Sequence, residues 1–354
     1  MNSRERVRRA IAREPVDRIP IFDSFWTETE KDFRQHGIPE DVSLGQYFDF
    51  DIELFWFEQS FLLERKVFEE TDEYRIESDD WGTVNRVFKE QQTTPGLIEF
   101  GVKDRASWET EFKPLQVMTP ERLELDRLRK HYTGIRKREK YAVLSMLGPF
   151  ECTWHRIGPE KQLVMLVEDP DWLMDMYATD VQLIKDGWKA LWEAGVQPDA
   201  LWLFEDIAYR SGMLFSPRHY KKVLQPFHAQ LTEFIHGYGC QVIYHSDGDL
   251  AKALPLLVEA GIDCLQPMEV KAGMDVRKLK EEYGDKLAFM GNIDARLFQE
   301  NDLAGLEAEL RAKLPVAMNG SGYIYHSDHS IPPGARLETY QFCMDLVKEL
   351  GNYD

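Results

Sequence analysis

His245 and Asp247 stand at the end of the run CQVIYHSDGDL (Cys240 to Leu250), separated by a single serine. Side chains at i and i+2 of a strand share a face, so the two can aim at one point. An imidazole and a carboxylate so placed can ligate a metal ion or move a proton. Other strand-forming runs end in the same way. Glu205 and Asp206 follow ALWLF, Glu269 follows CLQPM, Asn292 and Asp294 follow LAFMG, and Asp328 and His329 follow GYIYHS. Strand-to-helix loops favour Asp and Asn in any case, because these residues cap helices. Asp249, Asp275 and Asp302 are placed as such caps. Two histidines at strand ends are not explained by capping, so His245 and His329 are read as ligands or acid/base groups.

The elements that must position them alternate regularly. From Ala142 onward, strand-like runs are separated by amphipathic helical stretches at Pro170–Ala194, Pro217–Tyr238, Leu250–Ala260, Val276–Tyr283 and Leu303–Met318. Gly195, Gly239, Gly261 and Gly284 sit where helices want a left-handed cap. Repeated β-then-α units predict a parallel sheet. With RIPIFD and DIELFWF upstream, the strand candidates number eight, which closes a (β/α)8 barrel, the TIM barrel. In that fold the C-terminal ends of the strands converge on one mouth. Residues 68–112 interrupt the rhythm. EYRIESDDWGTVNRVFKE reads as a hairpin turning at Asp80–Gly82, with a later turn at Thr93–Gly96. We read it as an insertion after the second strand of a single domain spanning residues 1–354.

A net charge of −19 argues against nucleic acid or an anionic membrane as the main partner. It also means that a highly anionic substrate needs a local cluster of arginines. No apolar run is long enough to cross a bilayer. The basic start MNSRERVRRAIAREPVDR lacks the apolar core of a secretory signal. Four scattered cysteines without a CxxC pair read as free thiols in a reducing, cytoplasmic compartment.

HSDGDLAKALPLLVEAGIDCLQPMEV, MDVRKLKEEYGDKLAFMGNID and GYIYHSDHSIPP, in that order, resemble the uroporphyrinogen decarboxylase superfamily, as does EPVDRIPIFDSFW near the N-terminus. The resemblance covers nearly the whole chain and independently implies a (β/α)8 barrel. It implies one of two chemistries: cofactor-free decarboxylation of a tetrapyrrole's acetate arms, or zinc-dependent methyl transfer involving corrinoids and thiols. The decarboxylases carry an Arg-Gln-Ala-Gly-Arg motif after the opening strand. Here that place reads FDSFWTETEKDF, with Phe25 and Thr29 where the arginines would fall. Without guanidinium clamps, bidentate carboxylate recognition is lost. The resemblance is therefore closer to the methyltransferase branch.

That branch places a His-x-Cys pair after the fifth strand and a further Cys after the eighth. This chain keeps the histidine as His245, and Asp247 and His329 stand in the cysteine positions. The implied metal set is His245, Asp247 and His329, with Glu205 as a candidate fourth ligand and zinc as the first candidate ion. Asp206 stands in a substrate-contacting position. Neighbours on a strand point oppositely, so only one of Glu205 and Asp206 should face the mouth. Asp206, Asp247 and His329 are the expected catalytic groups. Trp26, Phe57 and Trp81 are the expected platform for a corrinoid, free or presented by a separate corrinoid protein. The expected activity is methyl transfer between a small methylated substrate, or a thiol or folate-type acceptor, and a corrinoid, in a monomer or homodimer. Two readings compete. One is a metal-independent decarboxylase of a small or tetrapyrrole-type acid, with Asp206 or Asp247 on the substrate and His329 as proton donor. The other is a non-catalytic ligand-binding barrel of a corrinoid pathway.

Overall fold

Strands covered on both faces read as near-continuous apolar runs, and such runs build the central sheet here. The computed structural model describes residues 1–89 and 96–353. In chain order its strands are β1 (Ile52–Phe55), β2 (Lys66–Glu70), β3 (Tyr74–Ser78), β4 (Val84–Phe88), β5 (Gly96–Glu99), β6 (Tyr141–Leu147), β7 (Ala200–Phe204), β8 (Ala208–Tyr209), β9 (Gly212–Met213), β10 (Gln241–Ser246), β11 (Cys264–Pro267), β12 (Ala288–Met290) and β13 (Tyr323–Ile324). A parallel sheet runs β1-β6-β7-β10-β11-β12-β13. The segment around Ile21 closes it. Ile21 bridges Tyr325 in parallel, and its carbonyl accepts the Asp51 N–H at 2.8 Å. RIPIFD is thus the opening staff of a TIM barrel. Pro20 lacks an N–H and limits this segment to isolated bridges. Asp51, fully buried at the base, accepts from the Ile21 N–H at 2.8 Å and from Arg6 and Arg18, which fixes the closure.

Helices cover the outside of the barrel, among them Pro170–Glu193, Gln225–His236, Leu303–Met318 and Leu337–Leu350. The continuous helix expected over Pro217–Tyr238 is broken by a wider turn at Tyr220–Leu224. Pro226 cannot donate to the Lys222 carbonyl, so the regular ladder fails there. The helix expected from Leu250 begins at Leu254, because Asp249 instead holds the Ala251 N–H at 2.9 Å in a turn. Asp275 and Asp302 cap their helices as expected, through the Arg277 and Gly305 N–H groups. Among the described residues no helix is long and apolar enough to cross a membrane.

The insertion is larger than a hairpin. β2-β3-β4-β5 form a four-stranded antiparallel sheet between β1 and β6. The turn expected at Asp80–Gly82 joins β3 to β4, with Asp79 Oδ1 accepting from the Trp81 and Thr83 N–H groups at 3.0 and 2.8 Å. Gly82 adopts a φ of +75°, which a side chain would strain. The second turn, at Thr93–Gly96, falls outside the described residues apart from Gly96, which opens β5.

Candidate active site at the barrel mouth

Phe204 closes β7, and the alternation that follows sends Glu205 and Asp206 opposite ways. Glu205 turns into the helical layer and is fully buried. Its carboxyl accepts the Phe150 and Glu151 N–H groups at 3.3 and 3.0 Å, at the start of helix Pro149–Ile157, and lies 2.7 Å from His228 Nε2. Gly148 makes room for it, since a Cβ there would lie 2.2 Å from the Glu205 carboxyl carbon. Burial raises the Glu205 carboxyl well above the ordinary range and holds His228 down to about 3, so that this imidazole is neutral. Glu205, the expected fourth ligand, is thus not among the residues whose ligand atoms cluster at the mouth. It anchors a helix.

Asp206 takes that place. Asp206, His245 and Asp247 present ligand atoms that all lie within 4.8 Å of one another. His245 Nε2 is 3.5 Å from Asp206 Oδ1, which also accepts the Asp247 N–H at 2.9 Å. The other imidazole nitrogen, Nδ1, bonds Gln266 Oε1, and the Phe204 ring packs against the imidazole with centroids 4.4 Å apart. Asp247 Oδ1 is buried with no hydrogen-bond partner among the described residues. Burial raises the Asp247 carboxyl, the His245 imidazole opposes that shift, and Asp206 reinforces it.

His329 stands at the edge of this group. Its Nε2 lies 3.7 Å from Asp247 Oδ2, and its ring stacks on Trp26 with centroids 6.0 Å apart. The geometric cluster shares His245 and Asp247 with the expected set of His245, Asp247 and His329, and its third member is Asp206. β13 ends at Ile324, so the position of His329 is set by the loop and by Trp26 instead of by strand periodicity. The donor set fits a divalent ion. It offers one imidazole nitrogen whose partner nitrogen is fixed, two carboxylates, and a buried oxygen lacking a partner.

The remaining strand-end groups are loop staples. Glu269 accepts the Gly248 N–H at 3.0 Å and pairs with Lys271 at 2.7 Å. Asn292 ties the Val276 N–H to the carbonyls of Met268 and Met274. Asp294 holds Arg296 at 2.6 Å. Asp328 joins two loops by accepting from Ala295 and Val270 at 2.8 and 2.7 Å, and burial pushes it up to about 6.

Two acids escaped the sequence reading. Glu151 opens the helix that Glu205 anchors, and burial together with Asp206 and Glu205 pushes it up to about 8. Its Oε1 lies 3.7 Å from His155 Nε2. Asp23 ends the opening strand and was visible by the same strand-end rule. It is buried with Ser327 and Tyr340 hydroxyls donating to it and His326 Nδ1 at 3.7 Å. Burial pushes Asp23 from 3.8 up to about 7 and holds His326 down to about 4. Asp23 thus keeps in the fold a proton that it releases in the unfolded chain, whereas His326 gives one up, so the two pH dependences oppose each other. The Asp23 share of stability is fully present below about pH 4 and is lost as pH rises through about 7. Asp23→Asn is expected to remove the Asp23 share of that slope, about 3 kcal/mol between pH 5 and pH 8. Urea midpoints at the two pH values measure it, and an unchanged slope would contradict the assignment.

The three expected platform aromatics separate. Trp26 and His329 line a cavity of about 300 Å³ with Lys271, Asp328 and Pro332. Phe57 and Trp81 line another of about 440 Å³ with Trp56, Met146 and Phe204. Phe57 itself is buried against helix Pro170–Glu193, where Gly187 leaves room that a Cβ would take from its ring. Trp81 stacks on His155 with centroids 5.5 Å apart. A larger cavity of about 900 Å³ lies outside the mouth, between helix Thr27–Gln35 and the start of helix Leu337–Leu350, and none of the cluster residues lines it. Phe25 and Thr29 make no clamp. Phe25 packs among Phe33, Phe48, Phe50 and Tyr340, and the Thr29 hydroxyl donates to the Ile331 carbonyl at 3.0 Å.

Comparison with known proteins places these observations in a lineage. The family described as Uroporphyrinogen decarboxylase (URO-D) matches residues 109–350. The methylated-thiol–coenzyme M methyltransferase of Methanosarcina mazei is 27% identical over 173 residues, which span 48% of this chain and 42% of that protein. The solved structure of a methyltransferase from Methanosarcina mazei superposes with a TM-score of 0.70 at 16% identity, covering 99% of both chains, and has the same fold.

Proposed function

The chain belongs to the uroporphyrinogen decarboxylase family, and from that premise we propose that it is a methyltransferase of the corrinoid-related branch. In this reading Asp206, His245 and Asp247 hold a divalent ion, with zinc the first candidate. The protein moves a methyl group between a small methylated substrate or thiol acceptor and a corrinoid. The observation that carries the reading is the cluster itself, together with an Asp247 carboxylate oxygen, Oδ1, that is buried and has no hydrogen-bond partner among the described residues. A bound divalent ion supplies Lewis acidity to the atom that gains or loses the methyl group.

The chain's own residues do the rest. Gln266 and Phe204 fix the His245 ring, so that Nε2 faces Asp206. His329, carried on Trp26 beside Asp247, holds or returns the proton of the acceptor or leaving group. Trp56, Trp81, Phe204 and Met146 offer apolar wall on the other side of the mouth, suited to a flat corrinoid face. The corrinoid arrives free or on a separate corrinoid protein. We place the protein in the cytoplasm, where its four buried cysteines stay reduced. Titration with methylcobalamin, followed by its visible spectrum and by tryptophan emission, should give a saturable change. No change at about 1 mM, the top of the usual range of substrate constants, alone or with thiol acceptors, would remove the corrinoid from the account.

A second expectation follows from Phe25 and Thr29. With an aromatic cluster and a satisfied hydroxyl where guanidinium groups would be needed, the protein should not turn over uroporphyrinogen. An anaerobic assay that yields coproporphyrinogen at about 1 per second or faster would move the reading to decarboxylation.

A further inference from the structure

Gln266 lies on β11 directly beside His245, its register partner across the parallel pair β10–β11. Its side chain is buried at 4% exposure, and its Oε1 is the partner of His245 Nδ1. A carboxamide oxygen can only accept, so Nδ1 carries the proton and Nε2 keeps its lone pair on the side of Asp206. Among the described residues no other group bonds Nδ1. The Phe204 ring packs against the same imidazole, which leaves it little freedom to turn. The opposite tautomer would place a proton on Nε2 and deny the cluster its only nitrogen donor.

We infer that Gln266 is a positioning residue for the metal centre, selecting the His245 tautomer that offers Nε2 to the ion. The inference rests on the metal reading above and adds a residue that touches the His245 imidazole only at Nδ1, the nitrogen that does not face the ion. Partners of this kind set both the tautomer and the basicity of a ligating histidine, and their loss typically weakens metal binding 10- to 100-fold. Gln266→Leu removes the acceptor, whereas Gln266→Glu keeps an acceptor and adds charge, giving a carboxylate–histidine pair.

The test is zinc affinity by competition with a chromophoric chelator at fixed pH, paired with imidazole ¹⁵N shifts of the metal-free protein. Gln266→Leu is expected to bind zinc about 10- to 100-fold more weakly than wild type and to show a mixture of His245 tautomers. Gln266→Glu is expected to bind at least as tightly as wild type and to keep the Nδ1-protonated form. Should Gln266→Leu fail to fold, the Gln266→Glu affinity and the wild-type tautomer still decide the matter. Wild-type affinity retained in folded Gln266→Leu, or a glutamate variant as weak as the leucine one, overturns the positioning role alone. A wild-type protein that binds no zinc overturns the metal reading as well. An Nε2-protonated His245 in the metal-free wild type overturns the tautomer assignment whatever the metal result.

Discussion

Replacing Asp206 by alanine is expected to weaken zinc binding by at least about 100-fold, whereas replacing His329 is expected to change it by no more than about 3-fold. Asp206 belongs to the group whose ligand atoms lie within 4.8 Å of one another, and removing it leaves one imidazole and one carboxylate. Loss of a mere supporting partner can cost up to about 100-fold, so loss of a ligand belongs at or beyond that end. His329 makes its nearest approach to the cluster at Asp247 Oδ2, 3.7 Å away, and is otherwise held by Trp26. Its replacement should instead lower turnover, by about 10²- to 10⁴-fold, the usual share of a positioned acid or base. Calorimetric zinc titration of the two variants separates the roles. A His329→Ala protein that loses zinc as fully as Asp206→Ala would restore the ligand set expected from sequence.

Glu205→Ala should be the most destabilising change among these strand-end residues, costing about 3 kcal/mol or more, the sum of several buried polar groups left unpaired. The carboxyl is fully buried and serves His228 Nε2 and the N–H groups of Phe150 and Glu151 together. Alanine leaves two N–H donors and the His228 Nε2 without a partner where water does not reach. Glu205→Gln keeps one acceptor oxygen and should cost less. Denaturant midpoints give the stability, and zinc affinity measured on the same samples should stay at the wild-type value. A stable Glu205→Ala protein that has lost zinc would show that the carboxylate serves the ion and not the helix.

The contrast between these two neighbours shows where sequence reasoning stops. Alternation along a strand says that one of Glu205 and Asp206 faces the mouth. Which one does so depends on His228 and on the amides of helix Pro149–Ile157, partners distant in sequence and invisible to local pattern. His245 and Asp247 were legible because both belong to one strand end, where the i, i+2 spacing acts directly. His329 lies past the two-residue strand β13, beyond the reach of any periodicity. The barrel was readable from its apolar runs, including the opening segment that Pro20 keeps from forming a regular ladder. The insertion was only half readable. β2 (KVFEE) and β5 (GLIE) are exposed along their length and carry no buried-face signature, so a four-stranded sheet read as a hairpin. Asp23 needed no distant information; the rule applied to the later strands would have found it.

The proposed function turns on whether the mouth holds a metal ion. Elemental analysis of the purified protein, loaded with zinc and then dialysed free of excess, tests this most directly. The wild type is expected to hold about one divalent ion per chain, and His245→Ala almost none with the fold retained. A wild-type protein without stoichiometric metal, or a His245→Ala protein that keeps its full complement, would contradict the proposed function.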